Sequence, residues 1–509
     1  MINIEMKNAR ELNMVIKKIV FVGLLGLVGV ALSACESDKG TTLQDSLTTD
    51  NTVDTISNLD FGNSVIPFPN NILFLDALGQ PPADGTLNIP VDDPADLSNP
   101  AVAMNALDGF STVAPISTGF TGAVDDASFP AGVRLYEVTL TGGAVTSVDR
   151  MLAYGTEFVG ALSSVDSTSS TLAMLPLQPL KPKQAYMAVV TNGVKSAGGR
   201  PVGISGSYSL THGLNPLHTG GISNTPLLTD AQAQQLEPLR QATVVAESSL
   251  NAFDGTESAD IIISWNFTTQ STTEVLEAVR TVNIAATQSA GFLPTASAKS
   301  PLGAADIHVG VVIVPYYLTK SDTASSPSND PTALGSCWNV AGAAPPTCAT
   351  GPHPSQYNPT PISTAPAAIP MMVSIPKTST ACTGMPTSGW PVVIYQHGIT
   401  TNRTTMLAVA DSMAAACIAV VAIDMPMHGV TGDETNGTEA FKNPVGNGGE
   451  RTFDLDLVTQ DADGNITAAV PDGVIDTSGR HFINLTNLLN TRDNVRQAVA
   501  DLFVIADAI

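Results

Sequence analysis

Two continuous apolar runs, each closing on a His-Gly pair, constrain this chain more than anything else in it. Pro391-Val392-Val393-Ile394-Tyr395-Gln396 runs into His397-Gly398-Ile399-Thr400. About twenty residues later, Ile418-Ala419-Val420-Val421-Ala422-Ile423-Asp424 runs into Met425-Pro426-Met427-His428-Gly429. An Ala- and Met-rich stretch from Thr404 to Ala416 separates them and reads as a helix. A strand that is apolar on both faces must be covered on both faces, as in a parallel sheet flanked by helices. Such sheets place their functional loops at the carboxyl ends of the strands, which is where both His-Gly pairs fall.

Strand, His-Gly loop, helix, strand and Asp-x-Pro-x-His-Gly loop together resemble the front half of an α/β-hydrolase sheet. That fold carries its nucleophile on a later strand, in a Gly-x-Ser-x-Gly elbow. No such pentapeptide occurs in residues 1–509. Ester hydrolysis passes through a tetrahedral oxyanion, which needs fixed N–H donors where the charge develops. The resemblance implies that the backbone N–H of Ile399 is one such donor. Gly398 then lets the backbone turn and approach, and His397 braces the loop. His428 is not expected to be the triad histidine, which follows the nucleophile strand in this fold. It reads as a loop-packing residue, and Asp424 as a cap on its loop.

A chain of 509 residues exceeds a single core and predicts two or three domains. An apolar fraction of 43% marks it as a folding chain. With a formal charge of −24 it lacks the clustered cations of a phosphate-tracking groove, so nucleic acid is excluded as a partner. At the N-terminus, Lys7, Arg10, Lys17 and Lys18 precede an apolar run from Ile19 to Leu32, shorter than the roughly twenty residues of a membrane-spanning helix. The run ends in Leu32-Ser33-Ala34-Cys35, which resembles the lipobox of bacterial lipoproteins. That resemblance implies cleavage before Cys35 and a membrane anchor on its thiol. Glu36 stands where an inner-membrane retention signal carries Asp, so an outer-membrane location is expected.

Four further cysteines, an even number in an exported chain, favour disulfides over a metal site. They allow three connectivities, of which Cys337–Cys348 with Cys382–Cys417 is the simplest. No Cys-x-x-Cys or histidine pair accompanies them, and neither a metal nor a cofactor is expected.

Along the chain, residues 1–35 read as the signal peptide and 36–58 as a flexible tether. Residues 59–210 carry short strands with turn punctuation and predict a β-sandwich. Val133 to Leu140 alternates and is turned back by Thr141-Gly142-Gly143-Ala144. Pro179-Leu180-Lys181-Pro182 with Tyr186, and Gly193-Val194-Lys195-Ser196-Ala197-Gly198-Gly199, resemble the corner and turn of bacterial Ig-like domains. Residues 211–385 predict a mixed α/β segment and a disulfide-containing linker. Thr229 with Gln232 opens a helix to about Asn251, and Ser271 with Glu274 opens a second. Strands are expected at 261–267 and 307–318, with irregular chain from there to about Cys382. His308 and His353 read as structural.

Residues 386–509 form the partial hydrolase domain, with an insertion from Thr431 to about Arg480. Asp461-Ala462-Asp463-Gly464-Asn465 lacks the distal Glu of a calcium loop and reads as a hairpin turn. A final helix from near Thr491 is expected to lay Val495, Val499, Leu502, Phe503 and Ala506 on the sheet. Ser478-Gly479-Arg480-His481-Phe482-Ile483-Asn484-Leu485 and Thr491-Arg492-Asp493-Asn494-Val495-Arg496-Gln497-Ala498 resemble the bacterial virulence-factor lipases, surface lipoproteins that include outer-membrane lysophospholipases.

The expected fold is therefore multidomain: an N-terminal Ig-like β-sandwich, a mixed α/β segment, and the front half of an α/β-hydrolase. The implied function is Ser-His-Asp carboxylic ester hydrolysis on a lipid or lysophospholipid, by an exported, lipid-anchored protein. None of the triad lies in these residues, so residues 36–509 are expected to show no ester turnover, and their open sheet edge to give poor solubility. The alternatives are a non-catalytic surface-anchored binder, and a non-lipolytic esterase or peptidase on the same scaffold.

Overall fold

The computed structural model describes residues 53–509 except 77–78, 286–288, 293–297, 324, 343–346, 381, 432–440, 443–448 and 462. Cys35 and the signal segment lie outside the described residues, as do most of the tether and part of the 431–480 insertion. The chain divides into two compact units, 1–93 with 107–272 and 94–106 with 273–509. Among the described residues, no helix is long and apolar enough to cross a membrane.

The first unit is built on antiparallel strands. β1 (Ile116–Gly119), β2 (Val133–Thr141), β3 (Ala144–Met151), β4 (Phe158–Leu162), β5 (Thr171–Pro176), β6 (Ala185–Thr191) and β7 (Ile261–Thr268) form its two main sheets. These are ordered β7-β6-β2-β3 and β1-β5-β4. The hairpin between β2 and β3 turns at Gly142 and Gly143, both at positive φ, where a side chain is strained. At the Pro-rich corner the Lys181 N–H donates to the Tyr186 hydroxyl at 2.9 Å, tying the start of β6 to the chain five residues before it. The two longest helices described in this unit are α1 (Gly206–His212) and α2 (Asp230–Asp254). The Thr229/Gln232 capping box at the start of α2 is present in both directions, and Gly255 in the left-handed region ends the helix.

The second unit holds a mixed sheet of β8 (Ser289–Phe292), β9 (Ala305–Tyr316), β10 (Ala365–Pro376), β11 (Val392–Gln396) and β12 (Ala419–Ile423), ordered β8-β9-β10-β12-β11. β9 and β10 pair antiparallel along their whole length, and β10 pairs antiparallel with β12. β11 and β12 pair parallel through the crossover helix α4 (Leu407–Ala415), following α3 (Glu274–Ala285) in chain order. All five residues of β12 are buried, as its unbroken apolar pattern predicts. The unit closes with α5 (Leu488–Ala508), capped by the Asn487 side chain on the Asn490 N–H. Disulfides join Cys337 to Cys348 and Cys382 to Cys417.

The structure departs from the sequence expectations in three places. The stretch read as irregular linker contains β10, a twelve-residue central strand. Its Pro366, Pro370 and Pro376 argue against a strand, yet β12 covers only Met371–Ser374, so no proline sits where both neighbours need donors. Ser271 does not cap the second helix: its hydroxyl donates to Asp108 at 2.7 Å, and α3 begins at Glu274. The expectation for the face of α5 is met only in part: Leu502 packs against the core, beside buried Ala498, Val504 and Ile505. Val495 is 47% exposed, whereas Asn490, Asp493, Asn494, Gln497 and Asp501 are buried.

Candidate functional site

Two loops leave the carboxyl ends of the parallel pair, 397–402 after β11 and 424–431 after β12, and each is fastened by a histidine from the other. His397 accepts the Met425 N–H on Nε2 at 3.1 Å, while its Nδ1 lies 2.8 Å from the Gly398 carbonyl. His428 accepts the Thr400 N–H on Nε2 at 3.2 Å, while its Nδ1 lies 2.8 Å from the Pro426 carbonyl. Because each Nε2 accepts, each ring carries its proton on Nδ1 and must be neutral. Both rings are buried, 4.9 Å apart, and Phe482 packs against His428 edge-on. Burial holds His428 down to about 4 and His397 below its ordinary value, the latter against the nearby Asp424 carboxylate.

Each loop contains one non-glycine residue in the left-handed region, Thr400 at φ 73° and Met427 at φ 61°. Such a conformation costs on the order of 1–3 kcal/mol and persists only where its surroundings fix it. The reciprocal histidine bonds supply that fixation. Beneath them, Arg403 is fully buried between Asp424 and Glu450, and its N–H donates to the Asp424 carboxylate at 2.6 Å. Burial disfavours the Arg403 charge, but the two carboxylates outweigh it and raise its pKa. Arg451 extends the array, donating to the Asp424 carbonyl and pairing with Asp501 at 2.7 Å. Asp424 therefore anchors both loops from below.

At the tip, Ile399 is 48% exposed. Neither its N–H nor that of Gly398 meets an acceptor among the described residues, in contrast to the engaged Thr400 and Thr401. A side chain on Gly398 would meet only open space. The Asp461 stretch forms the turn between two short strands, with its carboxylate accepting the Asp463 and Asn465 N–H groups. Among the described residues no cluster of His, Cys, Asp and Glu has the arrangement of a metal site. His353 is half-buried near the Trp338 carbonyl, and desolvation holds it down to about 4.

Sequence reasoning missed the Arg403–Asp424–Glu450 array, because its partners are 21 and 47 residues apart and no local pattern links them. The sparseness of charge offered a signal: in a chain with 13% charged residues, Arg403 and Glu450-Arg451 stand out beside apolar runs. A second unpredicted cluster lies in the first unit, where buried Glu247 accepts from Tyr208 at 2.6 Å, His212 at 2.9 Å and Ser258 at 2.5 Å. Ser258 and Glu247 meet the same nitrogen of His212, whereas a proton relay needs them on opposite ones. This cluster is structural. A cleft of about 80 Å³ in the same unit, lined in part by Tyr208 and Trp265, shares no residue with the two loops.

Residues 42–298 match the family described as bacterial virulence factor lipase N-terminal, about half of the chain. The chain belongs to that family. A stretch of 127 residues, 23% of this lipase-family chain, is 39% identical to an extracellular lipase of Aeromonas hydrophila. The match spans only 18% of that relative's length. A crystallised S-layer protein aligns at 18% identity over 18% of this chain and 11% of its own, with a TM-score of 0.12, which carries no fold argument.

Proposed function

We propose that this chain is the N-terminal and front-sheet part of an exported carboxylic ester hydrolase, a lipase or lysophospholipase acting through a Ser-His-Asp triad outside residues 1–509. The observation that carries the reading is the Ile399 N–H, which meets no acceptor among the described residues, at the carboxyl end of a parallel strand pair braced by a buried, neutral histidine lattice. An oxyanion hole requires a donor fixed before the charge arrives and free to meet it, and Ile399 satisfies both conditions. The second donor then comes from the residue after the nucleophile, on a strand added at the open edge of β11. Strand β11 stands at the end of the sheet order among the described residues, which leaves its outer edge for such a neighbour. Membership of a lipase family, and the extracellular lipase among its relatives, favour ester hydrolysis and export over a purely binding role. The N-terminal β region, with its tyrosine-tied corner, serves as an Ig-like spacer, and Cys35 as the lipid anchor at the outer membrane.

The test is turnover of a chain-length series of p-nitrophenyl acyl esters and of lysophospholipid by the full-length protein that carries this chain. Saturable hydrolysis, abolished by a phosphonate that labels a serine beyond residue 509, is expected. Residues 36–509 alone are expected to turn over none. Absence of hydrolysis in the full-length protein, or labelling of a serine within residues 36–509, refutes the reading.

A further inference from the structure

The string Ser478-Gly479 lies far from both loops in sequence, yet it touches each of them at the bonds that shape the tip. The Ser478 hydroxyl donates to the Thr401 carbonyl at 2.7 Å and accepts the Gly429 N–H at 3.2 Å, bridging the first loop to the second. The Gly479 N–H donates to the Met427 carbonyl at 2.8 Å, one residue before the histidine that holds Thr400. A Cβ on Gly479 would stand 2.3 Å from Nε2 of His428 and 2.8 Å from the Thr400 nitrogen. Gly479 also sits at φ +73°, so a side chain there is strained for two independent reasons. Phe482, three residues on, packs against the same His428 ring and donates its N–H to the Gly479 carbonyl. Both residues are buried.

We infer that Ser478 and Gly479 are positioning residues, a latch that holds the His428–Thr400 bond and thereby aims the free N–H of Ile399. This deepens the ester-hydrolase reading and rests on it for the catalytic consequence. The physical argument is one of competition for a donor. The Thr400 and Ile399 N–H groups are adjacent, and in this turn the first bonds His428 while the second meets no acceptor among the described residues. Within the 397–402 loop the Thr401 N–H and hydroxyl close the turn on the Gly398 carbonyl at 3.2 and 2.8 Å. From outside the loop His428 adds the bond that takes up the Thr400 N–H, and His428 is packed by Gly479 and Phe482. Ser478 then fixes the spacing of the two loops by filling one donor and one acceptor at once. A hydroxyl suits this role because it donates and accepts on a single atom. The contribution is to orientation, so its loss falls on the transition state and spares ground-state binding.

Two measurements test this. In the full-length protein, Ser478→Ala is expected to lower kcat per titrated active site by about tenfold while leaving KM within about twofold, and Gly479→Ala to lower it further. In residues 36–509, amide hydrogen exchange is expected to show Thr400 protected and Ile399 fast. Ser478→Ala is expected to speed Thr400 exchange by about tenfold or more while the β12 amides keep their protection. A per-site kcat within twofold of the parent, a rise in KM at constant kcat, or unchanged Thr400 exchange overturns the latch. A full-length parent without ester turnover refutes the ester-hydrolase reading alone, and the exchange experiment still decides whether the latch exists.

Discussion

At the scale of the residue, the two histidines behave as neutral hydrogen-bond brackets, and this sets a pH signature. In the unfolded chain a histidine takes up its proton near pH 6.5. In the folded chain burial delays this for His428 to about 4 and lowers His397 as well. The unfolded state therefore binds more protons across this window, and stability declines as pH falls through it. The contribution is fully present above about pH 6.5 and is lost on approach to pH 4. Thermal melting from pH 7 to pH 4 is expected to show this decline. In His428→Gln the curve starts lower at pH 7, because a neutral bracket is lost, but falls less steeply. A variant as steep as the parent places the titration elsewhere.

At the scale of the element, α5 shows how tertiary demand overrides an amphipathic pattern. Its apolar stripe of Val495, Val499, Leu502, Phe503 and Ala506 suggested the buried face; Leu502 does pack on the core, but the inward face combines Ala498, Val504 and Ile505 with a row of polar side chains. Asn490, Asp493 and Gln497 each bond backbone groups of the 315–338 segment, and Asp501 pairs with Arg451. Asn490 donates to the Ala333 and Ser336 carbonyls, Gln497 bonds the Tyr317 N–H and the Pro315 carbonyl, and Asp493 accepts the Trp338 N–H. Burial alone pushes the Asp493 carboxyl upward, but Arg492 and Arg496 reverse this and hold it below its ordinary value. The helix thus acts as a polar strut for the 315–338 segment, whose loop conformation leaves these groups without a ladder. Val495→Asp is expected to change the unfolding free energy by less than about 0.5 kcal/mol. Asn490→Leu removes its bonds to the Ala333 and Ser336 carbonyls and is expected to cost about 1–3 kcal/mol, measured by urea denaturation. The reverse ranking restores the apolar stripe as the buried face.

At the scale of the whole molecule, the two units differ in what staples them. Both disulfides belong to the second unit, one around the 337–348 turn and one joining the approach to β11 with the start of β12. The first unit relies on its sheets, the α2 capping box and the buried Tyr208–Glu247 cluster. Closing loops of 11 and 35 residues is worth on the order of 2–4 kcal/mol each by the chain-entropy argument. Scanning calorimetry with and without reductant is expected to lower the transition of the second unit by several degrees and to leave that of the first in place. Equal shifts in both contradict this assignment.

What the sequence determined by itself was everything carried by short-range pattern. The alternation of β2, the unbroken apolar run of β12, the Thr229/Gln232 cap and the two His-Gly loops are legible because a strand or cap is decided within about eight residues of chain. Only the tertiary structure decided what depends on distant partners. The prolines of β10 concealed a central strand until its neighbours showed which N–H groups the sheet required. The inward face of α5 carries Asn490, whose partner carbonyls lie more than 150 residues away along the chain. The Ile399 tip owes its shape to His428, 28 residues on from Thr400, and to Ser478, 77 residues on from Thr401. Hydrogen-bond satisfaction in a buried site is a long-range requirement, and no local periodicity records it.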